Sequence, residues 1–230
     1  MSYGIEVTNA SGFTQIDGTY DNISSFASGT VTRSYVASAS TEVLNKVSFP
    51  ANTPTDYLIF AKPSAQTTTR QITLAIYSDG FAFFAPYQNS ASFSLDYFIG
   101  VRSRDMPTNT SPDYGLEVYK SNGEQAYSSN NANLRISAVS FDDLTSTSTT
   151  PSSLTVSSMN GVYTLMSGKN LVGRSPQGWP SFSVLYAFFQ EFDFSAKTIA
   201  GKINAVRLSS PSQSGAFGGG FKTNLIGTLT

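Results

Sequence analysis

Alternation of apolar and polar residues is the dominant pattern along this chain. Near the N-terminus, Tyr3, Ile5 and Val7 alternate with Gly4 and Glu6, which is the period-two signature of a half-buried strand. Similar alternation, or a short apolar run bounded by turn residues, predicts further strands at 28–36, 56–61, 71–77, 81–84, 92–101, 133–139, 162–166, 182–194, 199–208 and 221–229. Since no window of useful length has helical spacing, the pattern predicts an all-β fold class with at most a turn or two of helix.

The sequence of the opening strand occurs twice in the chain. Tyr3 to Val7 returns as Tyr114 to Val118, 111 positions later, and Gly12 matches Gly123 at the same offset. Six identities and two Ile/Leu exchanges fall within 21 gapless positions starting at Tyr3, so we interpret the match as an internal duplication. The alternative interpretation is a pair of edge hairpins in one sheet, with no duplicated domain behind them.

Each copy of the repeated segment predicts a β-hairpin. A polar turn ends on Gly12 or Gly123, the residue type that adopts positive φ without a Cβ clash, and a second short strand follows near 14–16 or 125–127. In both hairpins we expect the tyrosine, the aliphatic residue and the valine to face the core. The glutamate between the last two should point outward, because neighbouring residues in a strand face opposite sides.

The duplication predicts two β-sandwich-like halves: an N-terminal β domain, residues 1–110, and a C-terminal β domain, residues 111–230, that opens with the second hairpin. The boundary is expected within 102–112, which carries two prolines among Thr, Asn and Ser residues. In the second half, the Ser/Thr tract 145–153 predicts an exposed loop.

Composition narrows the function classes. Aromatic residues make up 13% and charged residues 13% of the chain, and the charged share is about half the usual one. The formal net charge is −1 with no basic run, so the sequence shows no basic surface that would bind nucleic acid. The chain contains no cysteine and no histidine, which excludes disulfides, thiolate metal sites and Ser-His-Asp or Cys-His catalysis. We therefore expect a protein that is not an enzyme and uses no cofactor.

Neither a targeting segment nor a membrane span is visible in the sequence. The N-terminal residues lack the basic and apolar regions of a signal peptide, and the longest apolar runs, 81–86 and 184–189, are far shorter than a membrane span. We expect a soluble product that is made without an export signal.

Carboxylates are the remaining catalytic candidates. Glu191 and Asp193 lie two positions apart in a predicted strand, hence on one face and roughly 7 Å apart, which suits a glycosidase pair. In the favoured interpretation both acids face solvent, while Phe192 and Phe194, which alternate with them, point inward. Elsewhere, the oxygen-bearing residues Asp17, Asp21 and Asn22 do not follow the pattern of a calcium loop, so no metal site is predicted.

Two glycine-containing segments are candidates for contact with a partner. The first, around residue 218, lacks the ending of a phosphate loop, so it is either a plain turn between strands or an exposed loop tipped by aromatic residues. The second contains the one tryptophan, either a packed loop anchor or a sugar-stacking platform. The speculative binding residues are Trp179, Phe217, Gly218, Gly219, Gly220 and Phe221.

The two openings resemble a group of small tail proteins of long-tailed (siphovirus-type) bacteriophages. Members of this group begin with Tyr-Gly-aliphatic-x-Val followed by Asn/Asp-Ala-Ser/Asp-Gly, as in Tyr3 to Gly12, and Tyr114 to Tyr119 repeats the first part. The resemblance covers about 20 residues in each half. Because the motif is structural, it transfers no active-site residue. It implies a virion structural protein at the tail tip, with host receptor attachment as a further role.

The resemblance also implies partners and a location. Partners would be other phage tail proteins, at the central fibre or tail hub, and a host surface receptor; the location would be the virion tail, after synthesis in the bacterial cytoplasm. Many aromatics and few charges favour a homo-oligomer, with a trimer favoured. Two alternatives stay open: a carbohydrate-binding β-sandwich module whose groove is lined by Trp179 with Tyr163 or Tyr186, and a carboxylate-based glycan hydrolase using Glu191.

Overall fold

The computed structural model describes residues 6–8, 14–17, 21–33, 46–64, 70–84, 93–107, 115–144, 153–166, 173–174, 183–208 and 220–229. The first eight strands are β1 (Glu6–Thr8), β2 (Thr14–Asp17), β3 (Ile23–Arg33), β4 (Lys46–Ser48), β5 (Tyr57–Pro63), β6 (Arg70–Tyr77), β7 (Gly80–Phe84) and β8 (Phe93–Arg102). A single 3-10 turn, Ser103–Asp105, follows. The remaining strands are β9 (Glu117–Tyr119), β10 (Gln125–Ser128), β11 (Leu134–Leu144), β12 (Ser153–Thr155), β13 (Val162–Leu165), β14 (Gly173–Arg174), β15 (Ser183–Asp193), β16 (Thr198–Leu208) and β17 (Gly220–Leu229).

This content confirms the all-β prediction. Within the described ranges the 3-10 turn is the one helical element, and no helix there has the length and apolar character to cross a membrane. The long predicted strands all form. The alternation pattern missed β4, β12 and β14, which have three residues or fewer and so hold too few positions to establish a period. Ser153, at the end of the predicted loop, begins β12.

Two large antiparallel sheets dominate the fold. One has six strands in the order β11-β17-β13-β5-β8-β3, and the other has seven, in the order β12-β16-β15-β6-β7-β4 with β14 added beside β15. The hairpins β1-β2 and β9-β10 form separate two-stranded sheets. Alternating apolar residues from both large sheets meet in one hydrophobic core, whose fully buried members include Ile59, Ala61, Ile72, Phe81, Ile99, Phe192 and Ile199.

Phe81 lies at the aromatic centre of this core. Its ring contacts Tyr97 and Phe83 edge-on, with centroid distances of 5.2 and 5.6 Å, and contacts Phe49 at 5.7 Å. Such aromatic pairs each contribute about 0.5–1.5 kcal/mol beyond the burial of their apolar area. The contact between Phe81 and Tyr97 therefore helps to hold the β6-β7 hairpin against the six-stranded sheet.

The same pairing pattern occurs on both sides of residue 110. Ile23 of β3 pairs with Arg102 of β8, and Leu134 of β11 pairs with Leu229 of β17. A register irregularity follows at the same place in each pair, between residues 25 and 27 and between residues 136 and 138. We call residues that occupy the same place in these two sets of pairings corresponding residues; Ile23 thus corresponds to Leu134.

The two hairpins also match residue for residue. Glu6 pairs with Asp17 in the first hairpin, and Glu117 pairs with Ser128, 111 positions later, in the second. Beyond the hairpins, β4 and β6 both pair with β7, just as β12 and β15 both pair with β16. Among the described residues, these pairings after residue 110 match those before it.

Strands from both predicted halves share both large sheets. In the six-stranded sheet β5 pairs with β13, and in the seven-stranded sheet β6 pairs with β15. The core likewise contains Ile59 and Phe81 from the first range and Phe192 and Ile199 from the second. Residues 1–110 and 111–230 are thus joined by strand pairing and a common core in the described part of the chain, and their status as two domains stays a prediction.

The six-stranded sheet curls until its two edge strands meet. Ser24 of β3 forms a bridge with Asn133, next to the start of β11, and the Ser25 N–H donates to the Ala132 carbonyl at 2.8 Å. The face enclosed by this curl holds a second apolar cluster in which the rings of Phe60 and Phe98 stack 4.6 Å apart. The curl therefore places the beginnings of β3 and β11 together.

Candidate functional site

The second hairpin, β9-β10, lies outside both large sheets but contacts the start of β3. The Asn22 N–H donates to the Ala126 carbonyl at 3.1 Å. Val118 and Ala126 are buried and Glu117 is exposed, which confirms the predicted orientation of this valine and this glutamate. Leu116 is 45% exposed, so the prediction that the aliphatic residue faces the core was wrong.

The exposure of Leu116 has a local cause. Leu116 precedes β9 and lies at the open end of the hairpin, where its N–H and carbonyl both bond with Ser129. Its backbone is therefore satisfied without burial of its side chain. On the same hairpin Tyr119 is 54% exposed, and its hydroxyl donates to the Glu117 carboxylate at 2.6 Å. The side chains of the first hairpin, and Tyr114, lie outside the described residues.

The turn of the second hairpin forms as the sequence predicts. Gly123 has a φ of +85°, a backbone conformation that glycine adopts without a Cβ clash. The Gly123 N–H donates to the Lys120 carbonyl at 3.0 Å, and the Lys120 N–H donates to the Glu124 carbonyl at 2.8 Å. This closed turn holds the side chains of Lys120 and Glu124 on the same side as the start of β3.

An ion-pair cluster fixes this turn to the body of the fold. Lys120 Nζ lies 2.8 Å from Asp21 Oδ1, and Arg104 Nη1 lies 3.1 Å from Glu124 Oε2. Arg104 Nε is also 3.6 Å from Asp21 Oδ2. Hydrogen bonding to Asn122 and then to Arg104 holds the pKa of Glu124 below its usual value. The cluster joins three segments that are distant in sequence: the start of β3, the 3-10 turn and the hairpin.

A buried hydrogen-bond network lies beneath the hairpin. Ser24 Oγ donates to Asn133 Oδ1 at 2.9 Å and shares a 2.8 Å hydrogen bond with Ser103 Oγ. Asn133 Nδ2 in turn donates to the carbonyls of Ser128 and Asn131 at 2.7 and 2.8 Å. Because buried polar groups are costly when unpaired, this network specifies how the hairpin end meets β3. The sequence repeat singled out Asn133 without showing this role.

A pocket of about 300 Å³ opens where β3 begins and β8 ends. Ile23, Leu58 and Gly100 contribute to its lining, and Arg102 and Asp56 form an ion pair at its rim. A Cβ on Gly100 would lie 2.7 Å from Ile23 Cγ2, so glycine permits the close approach of β3 at this point. The predicted sites did not include this pocket, because its lining comes from three strands that only the sheet pairing brings together.

Each acid of the candidate pair accepts a hydrogen bond within the fold. Glu191 accepts a hydrogen bond from Gln71 on the neighbouring strand, and Asp193 Oδ1 accepts one from the Ala196 N–H at 2.9 Å. Phe192 between them is fully buried, as expected. The Asp21 carboxylate is paired with Lys120 and Arg104, and within the described ranges no group of three acids is placed to hold a metal ion.

The speculative binding residues are only partly covered by the structure. Gly220 and Phe221 begin β17 and pair with Leu144 and Asp143 of β11, so both belong to a strand. Trp179, Phe217, Gly218 and Gly219 lie outside the described residues. A receptor-binding role for any of these six stays a prediction.

The structure also describes only part of the sugar-binding groove that the sequence suggests. The half-buried ring of Tyr163 contacts Phe98 edge-on at 5.0 Å, and Lys62 Nζ lies 5.3 Å from the Tyr163 ring centroid. Contacts within the fold thus engage this tyrosine. The side chain of Tyr186 lies outside the described residues.

Comparison with protein-family models, with curated proteins and with solved structures finds no match to this chain.

Proposed function

We propose that this chain is a structural protein of a bacteriophage tail tip and that it uses its hairpins to contact neighbouring tail subunits. The observation that carries the proposal is the second hairpin, which contains the tail-protein motif. It lies outside both large sheets, its turn is held by ion pairs, and it presents Leu116 and Tyr119 to solvent.

The chemistry of the hairpin suits a protein contact. Aromatic and large apolar side chains are enriched in the centres of interfaces, where they lose the most water on binding. A hairpin that is already held by Lys120, Arg104 and the buried Asn133 loses little conformational freedom when a partner binds it. Rigid placement of exposed apolar residues is what a repeated assembly contact requires.

The proposal includes the internal duplication. It is supported by the matching hairpin registers and by the repeated strand pairing of β3-β8-β5 and β11-β17-β13. A duplicated chain would carry two hairpins and so two contact points for a central fibre or tail hub. It would assemble as a homo-oligomer, with a trimer favoured, in the virion tail, and attachment to a host receptor would be a further role. Catalysis has no part in the proposal.

Incorporation into particles tests the proposal. Particles of the bacteriophage that encodes the chain are purified, labelled with an antibody against the chain and viewed by electron microscopy. We expect the label at one end of the tail. Absence of the chain from purified, infectious particles would refute the proposal.

Two matched variants test the role of the hairpin. Tyr119→Ser removes the exposed aromatic ring of the second hairpin, whereas Ile76→Ser removes an exposed apolar side chain from β6 in the seven-stranded sheet. With both variants folded, as judged by circular dichroism, Tyr119→Ser should lower incorporation into particles and Ile76→Ser should not. Equal incorporation of the two would show that the hairpin is not the contact.

A further inference from the structure

The place in the second half that corresponds to the pocket at the start of β3 carries different side chains. Leu58 pairs with Gly100 in the first half, and Tyr163 pairs with Gly227 in the second. Tyr163 therefore corresponds to Leu58, and both side chains pack against the apolar cluster inside the curled sheet. A tyrosine carries more side-chain volume than a leucine, so a tyrosine at position 58 would take up space that the pocket leaves open.

The rim of the pocket differs between the halves in charge. Arg102 pairs with Ile23, and its corresponding residue Leu229 pairs with Leu134. Leu229 packs on the apolar cluster, whereas Arg102 carries a half-exposed guanidinium that pairs with the exposed Asp56. The first half thus has a donor and an acceptor at the edge of an apolar surface, at a place where the second half has aliphatic and aromatic packing.

The pair of charges indicates the class of ligand. A guanidinium has five N–H donors, and the contact with Asp56 Oδ2 leaves donors for a ligand, while the carboxylate can accept from hydroxyl groups. The pair has no net charge, so neither an anion nor a cation gains a net charge attraction from it. A neutral ligand with adjacent hydroxyls can use both groups at once, with its C–H face against Leu58 and Ile23.

Size restricts the ligand further. A pocket of about 300 Å³ lies at the small end of ligand sites. It can take one six-membered sugar ring but not several. We propose that this pocket binds a single hexopyranose residue, in which vicinal hydroxyls bridge Arg102 and Asp56 and one ring face covers Leu58. This binding goes beyond the tail assignment and does not depend on it.

A nuclear magnetic resonance titration of the full chain tests the proposal. Methyl resonances of Leu58 and Ile23 are followed while methyl hexopyranosides of differing configuration are added one at a time, and cyclohexanecarboxylate is added to a separate sample. We expect saturable shifts of both methyl groups with at least one glycoside and a weaker response to the carboxylate. No saturable shift with any glycoside, or tighter binding of the carboxylate, would overturn the proposal.

Variants that copy the second half sharpen the test. Leu58→Tyr should fill the pocket and Arg102→Leu should remove the donor, and each should weaken glycoside binding by about tenfold or more. Lys46→Leu is the matched control, since it removes the cation of another exposed ion pair, with Asp79, away from the pocket. Unchanged methyl spectra elsewhere establish folding. Equal affinity of the Leu58→Tyr variant and the unaltered chain would place the glycoside outside this pocket.

Discussion

The strands β3-β8-β5 and β11-β17-β13 share one pairing scheme but carry different chemistry. Gly100 and Gly227 occupy the same place in the two sets. Leu58 and Arg102 of the first set, however, correspond to Tyr163 and Leu229 of the second. Register depends on backbone pairing and on which positions are apolar, so it survives changes of side-chain size and charge. The difference teaches that one pairing scheme can carry a charged side chain in one set of strands and an apolar one at the corresponding place in the other.

A second contrast lies further along the same strands. In the first set, Asp96 of β8 is partly buried, which would raise its pKa, but hydrogen bonds from Ser64, Thr30 and Lys62 outweigh burial and hold the pKa below its usual value. Thr30 pairs with Asp96, whereas the corresponding pair in the second set is Phe141 with Thr223. The second set therefore has a threonine, not a carboxylate, at the place that corresponds to Asp96.

The largest expected effect comes from the centre of the six-stranded sheet, where the two sets join. Phe60 pairs with Leu165 there, but Phe60 is fully buried and stacked on Phe98, while Leu165 is only half-buried. Phe60→Ala should lower the free energy of unfolding by about 3–5 kcal/mol, because it leaves a cavity in the cluster. Leu165→Ala should cost less. Urea denaturation measures both, and equal losses would contradict the asymmetry.

The matched asparagines give the next largest effect. Asn133 is buried and bonds with Ser24, Ser128 and Asn131, whereas Asn22 is half-buried and its side chain makes a long 3.4 Å bond to Ala126. Asn133→Ala should lower the free energy of unfolding by about 1–3 kcal/mol, because it leaves buried groups unpaired. Asn22→Ala is the matched control and should cost clearly less. A larger loss for Asn22→Ala in thermal or urea unfolding would refute this interpretation.

A smaller effect is expected from Lys62, one of the residues that bond with the Asp96 carboxylate. Its Nζ lies 3.2 Å from Asp96 Oδ2 and 5.3 Å from the Tyr163 ring centroid. Lys62→Met should lower the free energy of unfolding by about 0.5–1 kcal/mol, the usual size for a partly exposed ion pair with a ring contact. It should also raise the pKa of Asp96, which a titration followed by nuclear magnetic resonance would detect. An unchanged pKa would mean that Ser64 and Thr30 alone set it.

The smallest expected effect is a difference between the two hairpins in how their stability depends on pH. The pKa of Glu124 lies below its ordinary value of 4.5, so its contribution to stability is complete above pH 4.5 and is lost as the pH falls through the lowered value. The first hairpin has Phe13 and Asn9 at the positions of Glu124 and Lys120. Acid should therefore loosen the second hairpin first.

Amide hydrogen exchange of the two hairpins, corrected for intrinsic rates at each pH, measures this difference. The variant Glu124→Gln should remove the acid response of the second hairpin and leave the first unaffected. If both hairpins lost protection over the same pH range, the ion pairs would not be what holds the second one.

Much of the fold could be predicted from the sequence because its signals are local. Alternation located β5, β6, β7 and β8 to within a residue or two, and Gly123 marked the hairpin turn. The candidate sites were predicted less completely than the strands. The pocket and the role of Asn133 were missed, since both depend on strands that are distant in sequence.

The sequence by itself determined the all-β class, the positions of the long strands and the repeat of the opening hairpin. Each of these follows from local periodicity, turn chemistry or direct self-comparison. Only the tertiary structure decided that β5 pairs with β13, that both ranges share one core and that Leu58, Gly100 and Arg102 meet around one pocket. The physical reason is that strand partners are chosen by long-range packing and register, which the pattern of a single strand does not encode.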